Sequence, residues 1–239
     1  MSQHNHTTGY HRFRVRTKIL LHDSKWFIIA ELILALLIIV GHLADFIPLS
    51  ATPFLLLLGW LSLWLRGIGW RAVGLRRPAR WRDTLLLGIT VGVVYQLFSL
   101  YLLEPLIVLV TGKPIDLSQF APVKGNVFLL ALFLVLVWTL AAFGEELVYR
   151  GYLMNRVSEL AAGGSSRAWA LSLIVVSVLF GVAHLSQGIS GVATVIAAGL
   201  VYGGLYLTSG RNLWAPIITH GVYDTVAVLL AFWDKYPGL

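Results

Sequence analysis

Apolar residues along the chain fall into seven runs parted by short polar stretches. The first extends from about Trp26 to Leu43 and is closed by Asp45-Phe-Ile-Pro48; the second, from about Pro53 to Leu65, is short, with Trp60 and Trp64 towards an interface. A third covers about Thr84 to Val110, long enough to cross a bilayer at a tilt. The fourth begins near Asn126, stays apolar to Phe143 and continues as an amphipathic stretch, Leu147 to Ala162, which Gly163 and Gly164 bring to a stop. The last three are about Trp169 to Leu185, Val192 to Leu207 and, after Ser209-Gly-Arg-Asn212, Leu213 to Phe232. Runs of such length and apolarity predict membrane-spanning helices. The expected fold is all-α, a polytopic transmembrane bundle of about seven spans forming one integral-membrane domain, with no internal repeat.

Composition strengthens that reading. Of 239 residues, 58% are hydrophobic and 12% charged, with a mean hydropathy of +0.80. No water-soluble core hides that much apolar surface, and the spans leave no room for a sizeable extramembrane domain. The net charge of +7 does not point to nucleic acid, because the basic residues stand beside apolar runs as they do in cytoplasmic loops. Arg66, Arg71, Arg76, Arg77, Arg80 and Arg82 occupy a connector, 66–82, that reads as lying on cytoplasmic headgroups. With Arg156, Arg167 and Arg211 on the same side, the topology is N-terminus cytoplasmic and C-terminus outside.

Residues 1–25, with His4, His6 and His11 among arginines and lysines, read as a basic cytoplasmic tail rather than a metal-binding segment. No small-residue cleavage site follows the first span, so the tail does not read as a cleavable signal. Residues 26–125 then hold spans one to three, and 126–239 a candidate catalytic core. Cysteine is absent, which excludes disulfides, thiolate nucleophiles and thiolate metal sites.

Charged side chains inside the spans narrow the chemistry, since each is costly there and faces a partner or a wet cavity. Glu31, a turn and a half into span one, reads as snorkelling to the interface, and Glu104, beside Pro105, as interfacial. The stretch Phe143-Gly-Glu-Glu-Leu-Val-Tyr-Arg-Gly151 is different. In a helix Glu146 and Arg150 are i,i+4 neighbours in the favourable order and neutralise one another. Glu145, about 100° away, has no local cation. Phe180-Gly-Val-Ala-His184 places a histidine one turn after a phenylalanine, its ring free either to bond a carbonyl or to serve a site. His220-Gly-Val-Tyr-Asp224 places His and Asp on one helical face, as a hydrogen-bonded pair or as adjacent ligands.

Helical rise tests whether these clusters meet. Spans four and five turn near residue 165, and the two glutamates and His184 lie equally far from that turn, roughly 25 to 30 Å. His220 stands only about 12 Å past its own turn, so the heights agree if the hairpin of spans four and five protrudes into the cytoplasm.

Glu145-Glu146-x-x-x-Arg150, Phe180-x-x-x-His184 and His220-x-x-x-Asp224, in that order in separate spans, resemble the CPBP family of intramembrane proteases. That family includes the type II CAAX prenyl endopeptidases and the bacterial Abi and lysostaphin resistance protein A-like proteins. The resemblance covers the chain from span four onward. It implies an endopeptidase in which Glu145 and His184 activate water, His220 and residue 224 stabilise the oxyanion or bind metal, and Glu146 with Arg150 holds the helix. It implies too a multi-pass protein of a bacterial plasma membrane acting on a membrane protein or peptide. The prenyl proteases carry Asn where this chain has Asp224, and an ionised Asp has no proton to donate to an oxyanion.

A carboxylate in a water-poor cavity suits a general base. Glu145, His184, His220 and Asp224 are also ligand types for a divalent ion, zinc first. No H-E-x-x-H or G-x-S-x-G is present. The rival readings are a non-catalytic membrane scaffold or immunity protein and a proton- or ion-coupled transporter; against the latter stands the lack of an inverted repeat.

Overall fold

A computed structural model describes residues 24–237 except 49 and 162, so the histidines and arginines of the N-terminal tail lie outside the described residues. All regular structure among these is helical, and each apolar run becomes one helix. They are α1 (Lys25–Leu43), α2 (Thr52–Arg66), α3 (Trp81–Thr111), α4 (Val127–Leu160), α5 (Ser166–Val182), α6 (Gly188–Thr208) and α7 (Trp214–Phe232). Five are long and apolar enough to cross a membrane; α2 and α5, of 15 and 17 residues, are apolar but shorter.

The helix ends follow local chemistry. Ser24, Asn126 and Ser165 cap α1, α4 and α5 by accepting from the backbone N–H three residues on. Gly67, at φ 72°, ends α2 in the left-handed conformation that glycine adopts without penalty.

Two helices depart from regular α geometry. α3 is π-helical over Ser99–Leu103, immediately before Glu104 and Pro105, where a ring that lacks an N–H breaks the i→i−4 ladder. α4 is π-helical over Val137–Glu145 and again over Leu147–Leu153. Widenings of this kind concentrate at functional sites, and here Glu145 ends the first and Glu146 stands between the two.

Of the stretch Leu147 to Ala162, expected to be amphipathic, the part from Leu147 to Met154 is not. Instead every residue in it is buried, because α2, α5 and α6 all pack around it. α4 is therefore the central post of the bundle at this level. α7 is set against α3 by Gly88 and Gly92: a Cβ on Gly88 would stand 2.7 Å from Ile218 and one on Gly92 2.8 Å from Val222. Two glycines one turn apart let helices approach closely in lipid, where packing rather than burial drives association. That approach fixes the height of His220 in α7. On its other side, Gly221 faces the ring of Trp138, 2.6 Å from where a Cβ would lie.

Three expectations are corrected. Glu31 does not snorkel: it is buried, with Arg66 bound across both carboxylate oxygens at 2.5 and 2.7 Å. Arg66 is accordingly not on the headgroups but buried, and also donates to Ser62 Oγ at 2.7 Å. Glu104 is not interfacial; it is 8% exposed, accepting from Ser99 Oγ at 2.9 Å and from Tyr236 Oη at 3.2 Å. In each case a partner remote in sequence removes the need to reach water.

Candidate active site

α4, α5 and α7 bring their polar residues together beside a cavity of about 360 Å³. Glu145, His184, His220 and Asp224 line it; Glu146 and Arg150 stand behind. Glu146 is fully buried, and its Oε1 accepts both from Arg150 Nη1 at 2.8 Å and from the His220 ring through Nδ1 at 2.9 Å. The expected i,i+4 pair is present. The same carboxylate does a second thing the sequence does not show, since it ties α4 to the catalytic face of α7.

Arg150 is held on several sides. Its Nη2 donates to the carbonyl of Gly199 in α6 at 3.2 Å, and its guanidinium lies over the rings of Phe180 and Tyr202, 4.6 and 5.3 Å from their centroids. A desolvated guanidinium gains from both contacts. Tyr202 also stacks on His220 at 4.7 Å with the rings 21° apart, so one tyrosine sets the plane of the imidazole and backs the arginine.

His220 has a carboxylate at each ring nitrogen, Glu146 at Nδ1 and Asp224 Oδ2 at 3.3 Å from Nε2. A ring protonated at both nitrogens satisfies both. His184 is placed differently. Its Nδ1 donates to the carbonyl of Phe180 at 2.8 Å, which fixes the tautomer and leaves the Nε2 lone pair free. Both sequence readings of His184 therefore hold at once, the carbonyl bond and the site. Glu145 makes one long hydrogen bond, accepted from Thr52 Oγ1 at 3.5 Å, and no ion pair among the described residues.

Across the same matched stretch of sequence the comparison with known families is specific. Residues 127–226 match the family model described as Type II CAAX prenyl endopeptidase Rce1-like. This part of the chain is similar to Rce1-like domains. No curated protein and no solved structure matches the chain significantly. The matched family is one of CAAX-type intramembrane proteases, to which this stretch is similar, and the five helices long and apolar enough to cross a membrane indicate a multi-pass membrane protein. All six predicted site residues fall inside the domain, whereas Thr52 on α2 and Glu104 and Tyr236 at the far end of the cavity lie outside it.

Among the described residues no three His, Asp or Glu side chains converge as ligands for one ion. His220 in particular has a carboxylate beside each ring nitrogen, Glu146 at Nδ1 and Asp224 at Nε2. In this arrangement Glu145, His184, His220 and Asp224 do not fit zinc.

Sequence reasoning missed Thr52, Glu104, Tyr202 and Gly199. They stand on α2, α3 and α6 rather than on the helices that carry the motifs, and a carbonyl or a ring carries no motif.

Proposed function

We propose that the chain is an endopeptidase that hydrolyses a peptide bond of a membrane-borne polypeptide with a water activated by Glu145 and His184. The observation that carries this reading is the contrast between the adjacent glutamates. Glu146 is held through its Oε1 by both Arg150 and His220, while Glu145 faces the cavity with a single long hydrogen bond. An intramembrane carboxylate left without a cation is expensive, and its use as a base accounts for its retention.

In this mechanism a water sits between Glu145 and the free Nε2 of His184 and is oriented by accepting groups on both sides. As its oxygen attacks the scissile carbonyl carbon, one proton passes to Glu145. The oxyanion develops beside His220, whose charge is held in place by Glu146 and Asp224, giving fixed electrostatic stabilisation in a site of low water content. Glu145 then returns its proton to the leaving nitrogen as the C–N bond breaks. Asp224 acts here by orienting His220, which resolves why a carboxylate is tolerated where a hydrogen-bond donor stands in the prenyl proteases. No step is routed through a metal.

The reading is tested in the native membrane. Peptide termini are compared by mass spectrometry between cells carrying the wild-type chain and cells carrying Glu145→Gln at equal abundance. New termini that depend on Glu145 are expected in membrane proteins. Identical terminal sets in the two would contradict the assignment.

A further inference from the structure

The cavity opens on one face of the bundle, and the charges stand on the other. Lining it from the connections of that face are Ser50 of α1–α2, Gln119 of α3–α4, Ser186 and Gln187 of α5–α6, and Tyr236 beyond α7, with Gln119 and Ser186 exposed. These segments are bonded to one another: Asp116 N donates to Gln187 O at 3.0 Å, Gly125 N to Phe232 O at 3.0 Å, and Lys124 pairs with Asp234 at 2.7 Å. Charge on this face is balanced, Lys113, Lys124 and Lys235 against Asp45, Asp116 and Asp234.

The opposite face gathers the connections 67–80, 161–165 and 209–213. It is equally well knit. Arg76 Nη2 donates to Gly210 O at 2.7 Å, Asn212 Nδ2 to Arg76 O at 2.9 Å, and Arg211 lies over Trp169 at 5.0 Å. Among the described residues Lys25, Arg71, Arg76, Arg77, Arg80, Arg82, Arg167 and Arg211 are exposed here, against an exposed Asp83 and a half-buried Glu159. The asymmetry lies in short connections, where lysine and arginine set orientation because they are retained in the cytoplasm. The anionic inner leaflet adds attraction on the same side.

We infer that the catalytic cavity opens away from the cytoplasm, so that its substrates are polypeptide segments standing on the extracytoplasmic side of the membrane. The second half of this statement rests on the peptidase reading above; the first does not. It departs from what the resemblance to prenyl endopeptidases alone suggests, because a segment entering between Gln119 and Ser186 arrives after translocation and need carry no lipid. The polar, nearly neutral rim formed by Ser50, Gln119, Ser186 and Gln187 suits an uncharged extended backbone.

The chain has no cysteine, so single thiols report position without a background. Gln119→Cys and Ser186→Cys mark the cavity mouth, Arg77→Cys and Arg167→Cys the arginine face; all four positions are exposed. Intact cells expressing the full chain are treated with a membrane-impermeant maleimide, before and after permeabilisation. The two mouth positions are expected to label in intact cells and the two arginine-face positions only after permeabilisation. Any other pattern overturns the sidedness. A second arm uses a single-span reporter built around a linker that the purified protein cuts, displayed on one or the other side of the membrane. Cleavage of the outward linker alone is expected, and cleavage of the inward linker alone overturns the proposal. If the purified protein cuts no linker, the peptidase reading falls while the labelling pattern still decides where the cavity opens.

Discussion

Glu146 and Arg150 illustrate how differently adjacent charges behave at one site. Removing either breaks a buried ion pair, which typically costs about 3 to 5 kcal/mol, although Glu146 without Arg150 keeps its bond to His220. Arg150→Ala loses in addition the bond to Gly199 O and the contacts with Phe180 and Tyr202. Both Glu146→Gln and Arg150→Ala are therefore expected to lower the melting temperature together with activity, measured by thermal unfolding in detergent. Inactive variants as stable as the wild type would show that the pair serves chemistry rather than architecture. Asp224 gives a second test. Asn keeps an oxygen that accepts from His220, so Asp224→Asn should retain turnover within about tenfold, with no response to chelator or added zinc. A substitution at a metal's supporting carboxylate instead weakens affinity by about 10- to 100-fold, and rescue by zinc would contradict the metal-free mechanism. The local pairs Glu146–Arg150 and His220–Asp224 were legible because four residues on a helix are neighbours whatever the fold. Glu31–Arg66 and Glu104–Tyr236 were not, since their partners stand on other elements and sequence alone offered only the interface as an escape for each carboxylate.

At the scale of elements, hydropathy located all seven helices and the glycine stop after α4, because lipid demands long apolar runs and Gly164 takes φ 90°. It did not show the π-helical widening of α4 or the burial of Leu147–Met154, which depend on three neighbours packing around one post. The close approach of α3 and α7 was written in Gly88-x-x-x-Gly92, yet the spacing alone does not name the partner helix. Gly92→Ala would bring a Cβ to 2.8 Å from Thr219 O and Val222 Cβ. Overpacking of this kind costs about 1 to 3 kcal/mol, and any outward shift of α7 moves His220 away from Glu146. Lower melting temperature and lower kcat are expected together; an unchanged kcat would mean that α7 is not positioned by this contact. Glu31→Gln tests the tie between α1 and α2 in the same way. It should destabilise the protein by roughly 3 to 5 kcal/mol, whereas a carboxylate reaching the interface would be replaced at little cost.

The whole molecule combines a rigid lower bundle, where α1, α2, α5 and α6 surround the buried part of α4, with a cavity reaching the opposite face between α3, α4 and α7. The expectation of one shared site from equal helical distances to the turn at residue 165 holds for Glu145 and His184, which line one cavity. His220 lines the same cavity and is bonded to Glu146. The most direct test of this account is peptide hydrolysis by the purified chain and by Glu145→Gln, each reconstituted in liposomes with chelator present and with matched thermal unfolding curves. The account predicts cleavage by the wild type and none by the variant at equal stability. Cleavage by both, or a wild type that hydrolyses only when a divalent metal is restored, would contradict it.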